Sequence, residues 1–156
     1  MASRATFRFT DKDRGLLAMR RRLAEAGRRV VKVGIFGAAA SADHDGLSNV
    51  DVASFHEFGT ENIPQRSFIR ATVDQNRQSI SKTQGQVARG ILKGRISETR
   101  GLGLIGAQVQ GMIQKAISDR IPPPLKAATI AAKGSSVPLI DTGQLRQSIA
   151  WEVVPR

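Results

Sequence analysis

The chain has 156 residues, 40% of them apolar, with a formal net charge of +11 from 24 Lys and Arg against 13 Asp and Glu. It contains no cysteine, which excludes disulfide cross-links and thiolate metal sites. No window approaches the roughly 18 apolar residues of a membrane span. The opening MASRATFRF also lacks an apolar stretch of signal length, so the expected setting is a reducing cytoplasm or a particle assembled there.

The length fits one domain with extended arms. Aromatic residues are only 4%, with six Phe, one Trp and no Tyr, so the core must come mainly from Ile, Leu, Val and Ala. Such a core is modest, and stability borrowed from neighbouring copies fits it. Arginine supplies 17 of the 24 cations. That excess favours contact with nucleic acid or an acidic protein face, or else serves solubility, because the basic residues are spread along the sequence.

In chain order, residues 1–9 read as a basic arm or edge strand. Thr10 and Asp13 resemble a helix cap, after which Leu16, Met19, Leu23 and Ala26 recur at helical spacing until Gly27. Arg20, Arg21 and Arg22 lie in that helix. Three consecutive residues span about 200° of a helix, so the triplet reads first as a solvated flank. Val30 to Phe36 (VVKVGIF) is β-branched and predicts a strand. Residues 38–48, small and polar with Gly, predict a mobile loop. Residues 50–58 (VDVASFHEF) suit either a strand or a short helix capped by Asn49, and the helix is preferred.

After Pro64, the residues Ile69, Val73, Ile80, Val87 and Ile91 mark one face of a single long amphipathic helix reaching Lys93. A turn over Gly94–Gly101 leads to another, through Ile105, Val109, Met112, Ala116 and Ile117 to Asp119. Pro122, Pro123 and Pro124 stop it and open a connector over 122–137, with 125–136 as an irregular loop. Asp141 or Thr142 is positioned to cap a short helix with Leu145 and Ile149 turned inward. Ile149 to Val154 alternates as a last strand. The expected fold is α+β: a small antiparallel sheet from residues near 30–36 and 149–154, packed by three to four helices, in a single domain over 1–156 with an extended arm and loop.

Candidate chemistry is thin. Gly101-Leu102-Gly103-Leu104-Ile105-Gly106 matches G-x-G-x-x-G, but the preceding ISETR is no buried strand, so a flexible helix-start turn is the better reading than a dinucleotide loop. His56-Glu57 would need His at position 60 for a helical zinc motif, and position 60 is Thr. Neither a G-x-S-x-G elbow nor a phosphate-binding loop occurs. The chain reads as non-catalytic, with no cofactor and no metal.

Two segments carry a resemblance. One runs from Val33 to Ala71, with VGIFG and then VASFHEFGTENIPQRSFIRA; the other is PLIDTGQLRQSIAWEV, from Pro138 on. In this order they resemble the phage virion-morphogenesis and tail-completion family, whose members sit at the head–tail junction of long-tailed phages. The family usually has Pro where this chain has Ser67. The resemblance implies a structural virion protein assembled in the bacterial cytoplasm. It would be a neck subunit forming a homo-oligomeric ring, such as a hexamer. Its partners would be other neck, connector and tail-terminator proteins and, without sequence specificity, packaged DNA.

Residues in the matched motifs are the interface candidates: Phe55, His56, Glu57, Phe58, Gly59, Thr60, Pro64, Arg66 and Phe68, then Leu139, Asp141, Thr142, Gly143 and Leu145. Both Phe55 and Phe58 are expected to anchor their element to the core, and Phe68 to dock the next helix. Gly59 suits a sharp exit. A Glu57–Arg66 ion pair is expected within the chain or across a subunit boundary. Arg20, Arg21, Arg22, Arg28 and Arg29 are candidates for facing DNA in a lumen or an acidic partner. The alternative function is a basic nucleic-acid-binding module without catalysis, making phosphate contacts only.

Overall fold

A computed structural model describes residues 15–44 and 46–156. The expected arm over residues 1–9 and the Thr10/Asp13 cap lie outside the described residues. The elements in order are α1 (Leu16–Glu25), β1 (Arg29–Gly34), α2 (Ala38–Ser41), β2 (Asp43–His44), β3 (Leu47–Ser48), α3 (Asn49–Phe58), α4 (Arg70–Gln75), α5 (Arg77–Leu92), α6 (Glu98–Ser118), α7 (Ala127–Lys133), α8 (Gln144–Ser148) and β4 (Ala150–Pro155). The fold is α+β. Of the helical segments, α1, α3, α5 and α6 have ten or more residues and the rest are single turns or little more.

The first and last strands form the main sheet. β1 runs antiparallel to β4, with Val31 opposite Val153 and Val33 opposite Trp151. Opposed residues share a face, so these four line the side that α6 covers, while Lys32 and Glu152 point the other way. Helix α6 is the centre of the molecule. Its Ile105, Val109, Ile113 and Ile117 recur at i, i+4 and are buried with Phe68, Val87, Leu139, Leu145 and Ile149. Among the described residues, no helix is long and apolar enough to cross a membrane.

The three glycines expected to form a turn are inside α6. Ser97 caps the helix, its hydroxyl accepting from the Arg100 N–H at 3.2 Å. A Cβ on Gly101 would stand 2.6 Å from Val87 Cγ1, one on Gly103 would stand 2.9 Å from the Trp151 ring, and one on Gly106 would stand 2.8 Å from both Trp151 Cγ and Val31 Cγ2. The G-x-G-x-x-G spacing therefore serves close packing of a helix against α5 and the sheet, not a phosphate turn.

Other boundaries differ from expectation for local reasons. The single long helix after Pro64 is two, α4 and α5. At Asn76 the side chain takes the Thr72 carbonyl at 2.8 Å and the backbone opens to φ −105°, ψ 10°. Helix α3 is capped by Ser48, in a reciprocal box with Asp51, and not by Asn49. Asn49 lies inside the helix, buried, with its amide donating to Ala39 O at 2.9 Å. The segment 38–48, expected as a loop, holds α2 and the β2–β3 hairpin. The expected irregular connector contains α7, built on AATIAAK, an alanine-rich helix former. For α8, Thr142 rather than Asp141 supplies the side-chain acceptor, to the Gln144 N–H at 3.3 Å, behind Gly143 at φ 81°.

Helix α1 turns its apolar stripe outward: Leu16, Met19 and Leu23 are exposed, and no residue of α1 is buried. It touches the body on the Arg22 side, where the guanidinium donates to Leu92 O at 3.2 Å and sits against Gly94.

Candidate functional site

The His56-Glu57-Phe58-Gly59-Thr60 run ends α3 and turns the chain sharply. Gly59 adopts φ 79°, and a Cβ there would meet the Gln65 backbone nitrogen at 3.0 Å. Thr60 closes the loop: its N–H donates to Ile63 O at 2.8 Å, and its hydroxyl accepts from the Ile63 N–H at 3.0 Å. The Arg66 N–H then donates to His56 O at 2.7 Å, pinning the returning strand of the loop to α3. Pro64 lies exposed on the outer path.

Glu57 is the hub of this turn. The residue is 6% exposed, and its carboxylate accepts from the Phe68 and Ile69 N–H groups at 2.9 Å each, the Arg70 N–H at 3.0 Å and the Ser67 hydroxyl at 2.7 Å. The amides belong to the entry of α4, so a side chain from the preceding helix satisfies the orphan donors of the next. The negative charge also sits at the favourable end of that short helix. Ser67 joins the same network, its oxygen accepting from the Ala71 N–H at 3.1 Å. A carboxylate has about four lone-pair sites. Here four fixed donors fill them, which makes Glu57 a structural brace of the turn.

Arg66 does not pair with Glu57. It is 4% exposed, and its Nε and Nη2 donate to the single carbonyl of Pro123 at 3.0 and 2.7 Å. Burial pushes its guanidinium pKa below the ordinary arginine value. The fork ties the turn to the triple-proline segment that follows α6. Arg66→Ala removes both charge-assisted bonds and leaves that carbonyl unpaired. It should cost about 2 kcal/mol in urea unfolding, with Arg66→Lys recovering only part because an ammonium cannot fork.

Beyond the hub the candidates separate by exposure. Phe68 is fully buried, and Leu139 and Leu145 are core residues. Phe55 is half-buried. Phe58, expected to be a core anchor, is 65% exposed, with the Arg70 guanidinium over its ring at 5.4 Å from the centroid. It edges an open, mostly apolar cleft of about 380 Å³ lined also by Ile35, Val50, Ala53 and Ile69. A second crevice of about 230 Å³ joins the end of α3 to the turn before α8: Val52 and His56 from α3 face Leu139, Asp141, Gly143 and Leu145. Asp141 is exposed at its edge, and Thr142 and Thr60 are exposed as well. Among the described residues no three His, Asp or Glu side chains come together. Arg20, Arg21, Arg28 and Arg29 are exposed, and Arg22 is half-buried against α5.

The roles of Ser67, Arg70 and Gly106 escape a reading by sequence. Only the Ser48-x-x-Asp51 box had a local signal, since Ser followed three residues later by an acid marks a helix start. No family model, curated protein or solved structure gives a significant match to the chain.

Proposed function

We propose that this chain is a structural subunit of a tailed-phage virion, acting without catalysis at the head–tail junction in a homo-oligomeric ring that joins tail to head. The observation that carries the reading is that the two segments of the resemblance fold onto one another. Val33 and Gly34 at the end of β1 pair with Trp151 and Ala150 of β4, and the α3 turn packs on the α8 turn across one crevice. Separate stretches of sequence thus build a single unit, braced by Glu57 and Arg66. That unit leaves Phe58 in the open beside an apolar cleft, with the apolar stripe of α1 also exposed. Two different exposed apolar surfaces on one chain suit head-to-tail contacts, which close into rings by rotation. Neck, connector and tail-terminator proteins are the partners in this reading.

The test is the mass of the species in solution, by light scattering, and its presence in tailed particles from cells carrying the gene. A closed oligomer that enters particles is expected. A stable monomer that never enters them overturns the reading. Phe58→Glu should leave monomer stability within about 0.5 kcal/mol, since the ring is mostly in water, while abolishing the oligomer.

A further inference from the structure

The basic residues are scattered along the sequence, but the fold collects a group of them at one end of the molecule. Three contacts define that end. Arg22 of α1 donates to Leu92 O at the close of α5. The Gly27 N–H, just before β1, donates to Glu98 Oε1 at the start of α6, at 2.8 Å. Arg156 N–H donates to Arg28 O at 2.9 Å. The exit of α1, the entry of β1, the α5–α6 turn and the first turn of α6 therefore meet. Arg22 and Arg95 line one crevice there together with Glu25 and Glu98, and Arg28, Arg29, Lys93 and Arg100 lie within two residues of these contacts. All six cations except Arg22 are exposed, and none of the six is in an ion pair among the described residues.

We infer that this end of the domain binds the phosphate backbone of duplex DNA without reading its sequence. Clustered, unpaired and mostly Arg, the cations suit forked contacts to phosphate oxygens. Duplex DNA offers a matching density, one negative charge per ~1.7 Å of axis. The crevice among these residues, lined by Ile91, Ile96 and Ser97 besides the charged groups, contributes no aromatic ring for stacking on unpaired bases. The inference stands on the charge distribution and does not depend on the head–tail reading.

Fluorescence anisotropy with two labelled 20-bp duplexes of unrelated sequence tests it. Both should bind equally. Raising NaCl from 50 to 200 mM should weaken binding by about 10³-fold, the slope expected for six neutralised phosphates. The double variant Arg95→Glu, Arg100→Glu should lose at least ten-fold in affinity and about two units of salt slope. Arg77→Glu with Lys82→Glu makes the same change in net charge at the other half of α5 and should move binding by less than about three-fold. Equal losses from both pairs, no binding at 50 mM NaCl, or polyglutamate binding as tightly as DNA (an acidic protein partner) would each overturn the inference. Circular dichroism of the variants confirms that exposed-residue changes leave the fold intact. Absence of DNA binding in a protein that still enters particles removes this inference alone. DNA binding by a permanent monomer removes the head–tail reading alone.

Discussion

Replacing Glu57 with alanine should destabilise the protein by about 4 kcal/mol, read as a drop in the urea midpoint at unchanged slope. The substitution deletes one side chain but strands four donors. The N–H groups of Phe68, Ile69 and Arg70 and the Ser67 hydroxyl all converge on this carboxylate. Phe68 is fully buried, so water cannot take over at its amide without opening the core. A buried donor left unpaired costs roughly 1–3 kcal/mol, more when the lost partner was charged. The Arg70 guanidinium adds little, because it stands 3.9 Å away and is largely in solvent. Glu57→Gln should cost about half as much, since one amide oxygen still accepts while its NH2 opposes the remaining donors. Ser67→Ala, which removes one member of the network, should be milder still. If Glu57→Ala unfolded at the wild-type urea concentration, the carboxylate would not be the brace of the α3–α4 turn.

The sequence made the frame legible and the joints illegible. The β1–β4 pairing could be read because β-branched residues and alternation encode a strand locally, and the two clearest such runs left each other as partners. The core face of α6 could be read through Ile105, Val109 and Ile117. Ile113 was missed because Met112 beside it fits the same apolar spacing. What could not be read depends on partners distant in sequence. The charges of Glu57 and Arg66 suggest each other, yet one is claimed by backbone amides and the other by the Pro123 carbonyl. Charge says that a group needs a partner but not which one, and buried backbone groups compete well for it. Phe58 was misplaced for a related reason. Its type says core, and only the path of the chain after Gly59 decides that it stays outside. The same holds for Leu16, Met19 and Leu23, whose helical spacing describes an apolar face but not what covers it.

The glycines of α6 are the sharpest case of a motif whose spacing is real and whose familiar meaning is absent, and they set the second large effect. Gly106→Val should destabilise by about 3 kcal/mol, by overpacking and loss of close helix–sheet contact. Its Cβ alone would fall 2.8 Å from Trp151 Cγ and from Val31 Cγ2, and 2.9 Å from Trp151 Cβ. These atoms lie near the backbone of two paired strands, so relief requires moving the sheet and not merely rotating a side-chain tip. Helix propensity works the other way, because any residue but Pro is favoured over Gly in a helix interior, by up to about 1 kcal/mol for Ala. Gly111 in the same helix separates the two effects. A Cβ there meets nothing within 4 Å, so Gly111→Ala should stabilise by about 0.7 kcal/mol. Opposite signs at two glycines five residues apart would be the signature of close approach. Stabilisation at both would mean that α6 does not lie against β1 and β4 at this distance, and the pairing of the two motif segments through that sheet would lose its support.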